Sequence, residues 1–193
     1  MKPITPSEIL NLDEYEKVRE PRRQAVIDHK RARRVQVGRY LSFVFEDRQT
    51  VWFQIQEMCR AERIHAGDRI AEEVAVYNTL LPRPGELAAT MFIEIAEVRE
   101  IRPVLDALLG IDTADCVRLE VGPHMSAGRF EAGQSDEERG KLSAVHFVRF
   151  PLFGEARRSF EHTEVALVVD HPNERARAVL SAETKRSLAA DLA

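Results

Sequence analysis

The stretch 143–152, SAVHFVRFPL, alternates in the manner of a β-strand, yet a histidine and an arginine interrupt its apolar residues. Alternation places Ala144, His146, Val148 and Phe150 on one face and Ser143, Val145, Phe147 and Arg149 on the other, so His146 and Arg149 serve opposite sides of one sheet. An imidazole among apolar side chains loses hydration and its pKa moves readily; it either finds a hydrogen-bond partner in the core or works as a general acid or base. Glu94 raises the same question in ELAATMFIEIA, because a carboxylate beside Phe92, Ile93 and Ile95 needs a cation or donors. By residue type, Arg48 and Arg149 are its candidate partners. A third constellation lies in RQTVWFQIQEMCRAERI, where Arg48, Glu57, Arg60, Glu62 and Arg63 flank a stripe of Val51, Trp52, Ile55, Met58 and Cys59. Arginine forks suit a carboxylate or phosphate ligand, and they suit equally well the neighbouring Glu46, Glu57 and Glu62.

Metal chemistry has no spacing signature here. Glu57 and Glu62 point about 140° apart around a helix and cannot chelate together, and the single ExxH, Glu62 to His65, has no second such pair with which to build a carboxylate di-metal centre. A metal would require Glu57, Glu94, His146 or His171 to converge from distant elements, and no metal ligand is assigned. Cys59 and Cys116 lack CxxC or Cys/His spacing, which argues against structural zinc and against a secreted disulfide framework. GxGxxG, GxxxxGK[ST], GxSxG and HExxH are absent, which sets aside the familiar nucleotide, hydrolase and zincin signatures. The opening MKPITPSEIL has no signal-peptide run and no stretch of about 18 apolar residues occurs, so a reduced, cytoplasmic setting without membrane insertion is expected.

With 193 residues, 44% hydrophobic and 31% charged, the chain has the balance of a globular domain with its own core. The net charge of −4 is unevenly spread: residues 17–39 hold nine Lys/Arg against Glu20 and Asp28, so a basic segment faces an acidic remainder. Nucleic acid is disfavoured as a partner, since the whole chain is acidic and no aromatics interleave the arginines. An acidic protein partner, or the acidic surface of a second copy in a homo-oligomer, is the competing use of that segment.

Local signals outline the elements that must position these residues. Thr5, Pro6 and Glu8 form a capping box with Ile4 and Ile9 as a staple. Pro21 is expected to break the helix begun at DEYEKVRE, with RRQAVIDHKRARRV forming a second one that Gly38 stops. RYLSFVFED and ELAATMFIEIA read as strands, with the Trp52 helix and DRIAEEVAVYNTLLP between them. VREIRPVLDALLG is a helix ended by Gly110, and CVRLEVG with HMSAGRF is a hairpin. EAGQSDEERGKL reads as a mobile loop, SAVHFVRFPL and EVALVVDHP as strands, and NERARAVL and SAETKRSLAADL as closing helices, the first capped by Asp170 and the last by Ser181. The expectation is an α+β fold: one mostly antiparallel sheet of about six strands with helices packed mainly on one face. One domain spans 1–193, with a helical N-terminal segment 1–36, a sheet with inserted helices 37–171, and C-terminal helices 172–193.

Taken together, EYEKVREPRRQAVIDHKRARRVQVG, FEDRQTVWFQIQEMCRAERI, ELAATMFIEI, SAVHFVRFPL and the terminal DHP…SLAADL resemble the bacterial family called domain of unknown function 3501, from about Glu14 to Leu192. That family has no assigned activity or cofactor. The resemblance implies a cytoplasmic bacterial protein associated with redox or peroxide-stress metabolism, and hence a redox protein as a partner class. The leading expectation is an accessory binding protein for a small anionic ligand, with Arg48, Glu57, Arg60, Arg63, Glu94 and Arg149 around a common hollow floored by His146. Its rivals are an enzyme using His146 as general acid or base, with or without a metal, and a protein-interaction module.

Overall fold

The computed structural model describes residues 1–112, 116–131, 135–136 and 140–192. Its N-terminal signals act locally: Thr5 and Glu8 close the capping box around a single 3-10 turn, Pro6–Glu8, with Ile4 and Ile9 both buried. Asn11 then caps α1 (Leu12–Arg31) by accepting from the Glu14 N–H at 3.0 Å. Pro21 does not break this helix, contrary to expectation. It sits on an exposed face, and contacts on both sides hold the helix together: Tyr15 and Arg19 bond Glu57, and His29 bonds Asp47 at 2.5 Å.

Where a continuing helix is expected, the alternation of Val35 and Val37 with Arg34 and Gln36 makes β1 (Arg34–Val37), a hairpin partner of β2 (Leu41–Phe45). Gly38 turns the hairpin at φ +68°, and a Cβ there would lie 1.9 Å from Glu174 Oε1. α2 (Arg48–Ala61) and α3 (Gly67–Asn78) lead into β3 (Glu86–Ile93), and α4 (Val98–Ala107) precedes the hairpin β4 (Val117–Val121) and β5 (His124–Ala127). β6 (Arg129–Phe130), β7 (Ser135–Asp136), β8 (Lys141–Leu142), β9 (Val145–Pro151), α5 (Gly154–Ser159) and β10 (Val165–His171) follow. Of the expected mobile loop 131–142, residues 132–134 and 137–139 lie outside the described residues. The segment NERARAVL is not a helix. It is β11 (Glu174–Val179), joined to β10 by a two-residue turn with His171 opposite Glu174; Ala176 and Ala178 turn toward the protein and Arg175 and Arg177 away from it. α6 (Ala182–Leu192) closes the chain, and Ser181 Oγ accepts the Thr184 N–H at 3.0 Å.

Among the described residues there are two main antiparallel sheets where one is expected: a first of order β1-β2-β3-β9-β6 and a second of order β11-β10-β4-β5. The chain passes between them at Gly128, whose N–H bonds the Val117 carbonyl at 2.8 Å. A Cβ there would meet Val148 Cγ2 at 2.9 Å and the Val117 oxygen at 3.0 Å, so glycine lets the strand change sheets. The inner faces, with Phe43, Phe45, Met91 and Phe150 from the first sheet and Leu119, Val165 and Leu167 from the second, merge in one core that Leu108, just past α4, and Leu188 of α6 complete. A separate apolar cluster of Ile4, Ile9, Val51, Ile55, Cys59, Val74 and Leu81 holds the N-terminal segment, α2 and α3 together. This helical layer meets the outer face of the first sheet, where Thr90 bonds Glu46 and Arg149 bonds the Leu81 carbonyl.

Candidate functional site

The expected common hollow does not form, because the polar residues lie on different sides of the fold and most are held there by local partners. Arg149 lies on the outer face of β9, ion-paired with Glu86 and bonded to the carbonyls of Thr79 and Leu81; its guanidinium carbon is 5.0 Å from the Phe147 ring centroid. Glu94 follows the end of β3 at the surface and takes Arg34 at 2.6 Å, which holds its carboxyl below the usual range. Neither Arg48 nor Arg149 reaches it. Glu57 accepts two bonds from Arg19, each at 2.8 Å, and one from the Tyr15 hydroxyl at 2.8 Å. The Arg19 guanidinium lowers the pKa of Glu57, while burial and then Glu57 raise that of Tyr15. These contacts pin α1 to α2.

His146 projects into the inner core and is fully buried. Its Nε2 lies 2.7 Å from the Ser143 carbonyl, which fixes the Nε2–H tautomer, and Nδ1 is 3.4 Å from Asp112 Oδ2. At that distance Nδ1 has no hydrogen-bond partner. Burial depresses the imidazole pKa against the opposing pull of Asp112. The Phe130 ring meets the imidazole edge-on at 6.0 Å, and none of the clefts described below reaches it. His171, by contrast, has both ring nitrogens matched: Nε2 bonds the Leu109 carbonyl at 3.0 Å and Nδ1 accepts the Asn173 N–H at 3.2 Å. Asp170 caps no helix and instead pairs with Arg118 and Arg175 on the outer face of the second sheet.

The deepest polar cluster was not legible beforehand. Arg33, 1% exposed, donates Nε to the Phe45 carbonyl at 2.9 Å, Nη1 to Ser187 Oγ at 3.1 Å, and Nη2 to Asp191 and to the Glu46 carbonyl. Asp47 lies 3.4 Å from the same guanidinium. Burial alone would raise the Asp47 pKa, but Arg33, the Thr50 N–H and His29 together lower it; at Asp191 burial prevails and the pKa rises. Beside this cluster the buried Glu46 accepts from Thr50 Oγ1 at 2.5 Å, Gln54 at 2.9 Å and Thr90 at 2.6 Å. With these donors matched to acceptors, the cluster is solid packing.

Two open clefts remain near the expected arginines. One, of about 450 Å³, is lined by Asp13, Glu16, Arg60, Arg63 and His65. There Arg60 is taken by Glu16 at 2.5 Å, and Arg63 occupies the left-handed region at φ +54°. That geometry is a Schellman end to α2: the Ile64 N–H reaches the Cys59 carbonyl at 2.8 Å and the Arg63 N–H the Arg60 carbonyl at 3.3 Å.

The larger, of about 710 Å³, opens between the N-terminal segment, α1 and the first turns of α2, and its lining includes Glu8, Leu10, Arg22, Val26, Arg48, Gln49 and Trp52. Two side-chain amides hold its wall in place. Asn78 pairs with both backbone groups of Ile4, at 2.9 and 2.8 Å, and Gln56 does the same for Leu10, at 2.6 and 3.2 Å. Trp52 Nε1–H donates to the Glu8 carbonyl at 3.0 Å, so the indole offers the cleft its ring and no donor. Arg48 reaches Glu8 at 2.5 Å and the Lys2 carbonyl at 3.1 Å. The Thr5 N–H and then Arg48 hold the Glu8 carboxyl at a pKa of about 2. Arg22 is different: its guanidinium carbon lies 5.6 Å from the Trp52 ring centroid, and among the described residues it makes no ion pair. The sequence does not single out Arg22 or Gln49; the (i, i+4) step from Arg22 to the buried Val26 sets it at the edge of the packed face of α1, but not against Trp52.

Comparison with known proteins places the chain in a family. Residues 3–192 match the model of the family described as protein of unknown function (DUF3501), and the chain belongs to that family. It is also similar to the crystal structure of a novel protein of unknown function from Burkholderia pseudomallei, at 32% identity and a TM-score of 0.92, with 100% of both chains covered. No curated protein matches. Among the described residues no helix is long and apolar enough to cross a membrane.

Proposed function

We propose that this chain is a non-catalytic binding protein that holds a small anionic ligand in the cleft between the N-terminal segment, α1 and α2. The observation that carries the reading is Arg22, a guanidinium without a carboxylate partner among the described residues, set over the Trp52 ring 5.6 Å from its centroid at the wall of that cleft. Arg48 belongs to the same cleft, and so does Gln49 in the first turn of α2, whose side-chain amide adds a neutral donor. Glu8 neutralises Arg48 in the free protein, which leaves Arg22 as the unspent charge. Arg60 and Arg63 line the separate, smaller cleft and are assigned no ligand contact.

A thermal-shift panel of small carboxylates and phosphates tests the reading. Ligand that binds only the folded state raises Tm with concentration, and Arg22→Gln should abolish that rise while leaving the Tm of the free protein unchanged. If no anion stabilises the wild type, or Arg22→Gln responds equally, the reading fails. On the binding reading, an accessory role in redox or peroxide-stress metabolism acts through the ligand or a redox protein partner and not through Cys59, whose thiol is buried with its pKa raised by desolvation. The buried, unoxidised thiol of Cys59 suits a cytoplasmic setting.

A further inference from the structure

Resting on that reading, we infer that the ligand is an aromatic carboxylate, its ring lying against Trp52 and its carboxylate in the fork of Arg22. Three features of the cleft specify this combination. The Trp52 N–H is committed to Glu8, so what the indole offers a ligand is a π-surface, which favours another ring. Leu10, Ala25 and Val26 line the same cleft, so its wall has apolar parts that a purely polar anion would not cover. Arg22 holds its guanidinium carbon 5.6 Å from the indole centroid, outside stacking contact, so a ligand ring can lie against the indole beside it while the guanidinium edge takes both oxygens of one carboxylate. Tyr15 meets the indole edge-on, at 6.3 Å and 76°, which fixes the orientation of the indole from the α1 side.

Trp52 is the chain's one tryptophan, so its emission reports directly on the cleft. The test titrates the full-length protein with benzoate, cyclohexanecarboxylate and acetate, exciting at the red edge of indole absorption where benzoate is transparent. The inference expects saturable change with benzoate and a roughly fivefold to tenfold weaker response to cyclohexanecarboxylate, which has the same charge and nearly the same shape but no π-system. Arg22→Lys keeps the charge and loses the flat fork, so its benzoate affinity should drop by about fivefold or more. Equal affinities for benzoate and cyclohexanecarboxylate, or an Arg22→Lys variant that binds benzoate as well as wild type, overturn the aromatic assignment and leave the anion site standing. Loss of binding to all three, with no Tm shift from any anion in the panel, overturns both.

Discussion

Two arginines carried by the same helix and its exit, Arg22 and Arg33, have opposite fates. Arg33 is enclosed by Phe45, Glu46, Asp47, Ser187 and Asp191, whereas Arg22 stays exposed with one aromatic face for company. The contrast teaches that a buried and fully matched guanidinium ties elements together, while an exposed and unmatched one remains free to meet a ligand. His146 stands between them, buried like Arg33 but with one nitrogen unmatched like Arg22.

The largest effect expected from this contrast is at Arg33. Arg33→Met removes the cation from two buried carboxylates and should cost about 3–5 kcal/mol in urea unfolding; a loss below about 1 kcal/mol would erase the distinction. Pro21→Ala restores a backbone donor within α1, which carries one arginine and leads to the other, and should stabilise by up to about 3 kcal/mol by the same measurement.

At His146 the effect depends on pH. Its folded pKa lies below the unfolded value of about 6.5, so the unfolded state takes the proton first and stability falls as pH drops below about 6.5. The slope from this one group approaches about 1.4 kcal/mol per pH unit. His146→Gln should remove that part of the acid limb while leaving the losses below about pH 4.5, which come from carboxylates with lowered pKa such as Asp47 and Glu57. An unchanged slope between about pH 6.5 and 5 would show that His146 is no source of it.

Arg63→Gly should stabilise by about 1 kcal/mol, because glycine takes the left-handed end of α2 without the Cβ penalty. Smallest is Arg22→Gln, which should move stability by less than about 0.5 kcal/mol while removing the response to anions. A large destabilisation would reassign Arg22 to the structural class.

The parts of this protein readable from sequence are those decided within a few residues of chain. The Thr5–Glu8 box, the stripe of Val51, Ile55 and Cys59, the Gly110 stop, the β4–β5 hairpin and the Ser181 cap each satisfy local backbone groups or a single period. Alternation in β9 likewise put His146 and Arg149 on opposite faces. Helix-forming residues misled at β11 and β1, where hairpin pairing with β10 and β2 outweighs propensity, and at Pro21, where anchors on both sides of α1 absorb a lost hydrogen bond. Partner choice was decided only in three dimensions: Glu94 with Arg34, Arg149 with Glu86, Arg33 with Asp191, and Arg22 with the Trp52 ring. The reason is physical. Capping and periodicity act over one or two turns, whereas a charge takes whichever partner the packing of distant elements brings within a few ångströms, and the space left over becomes the cleft.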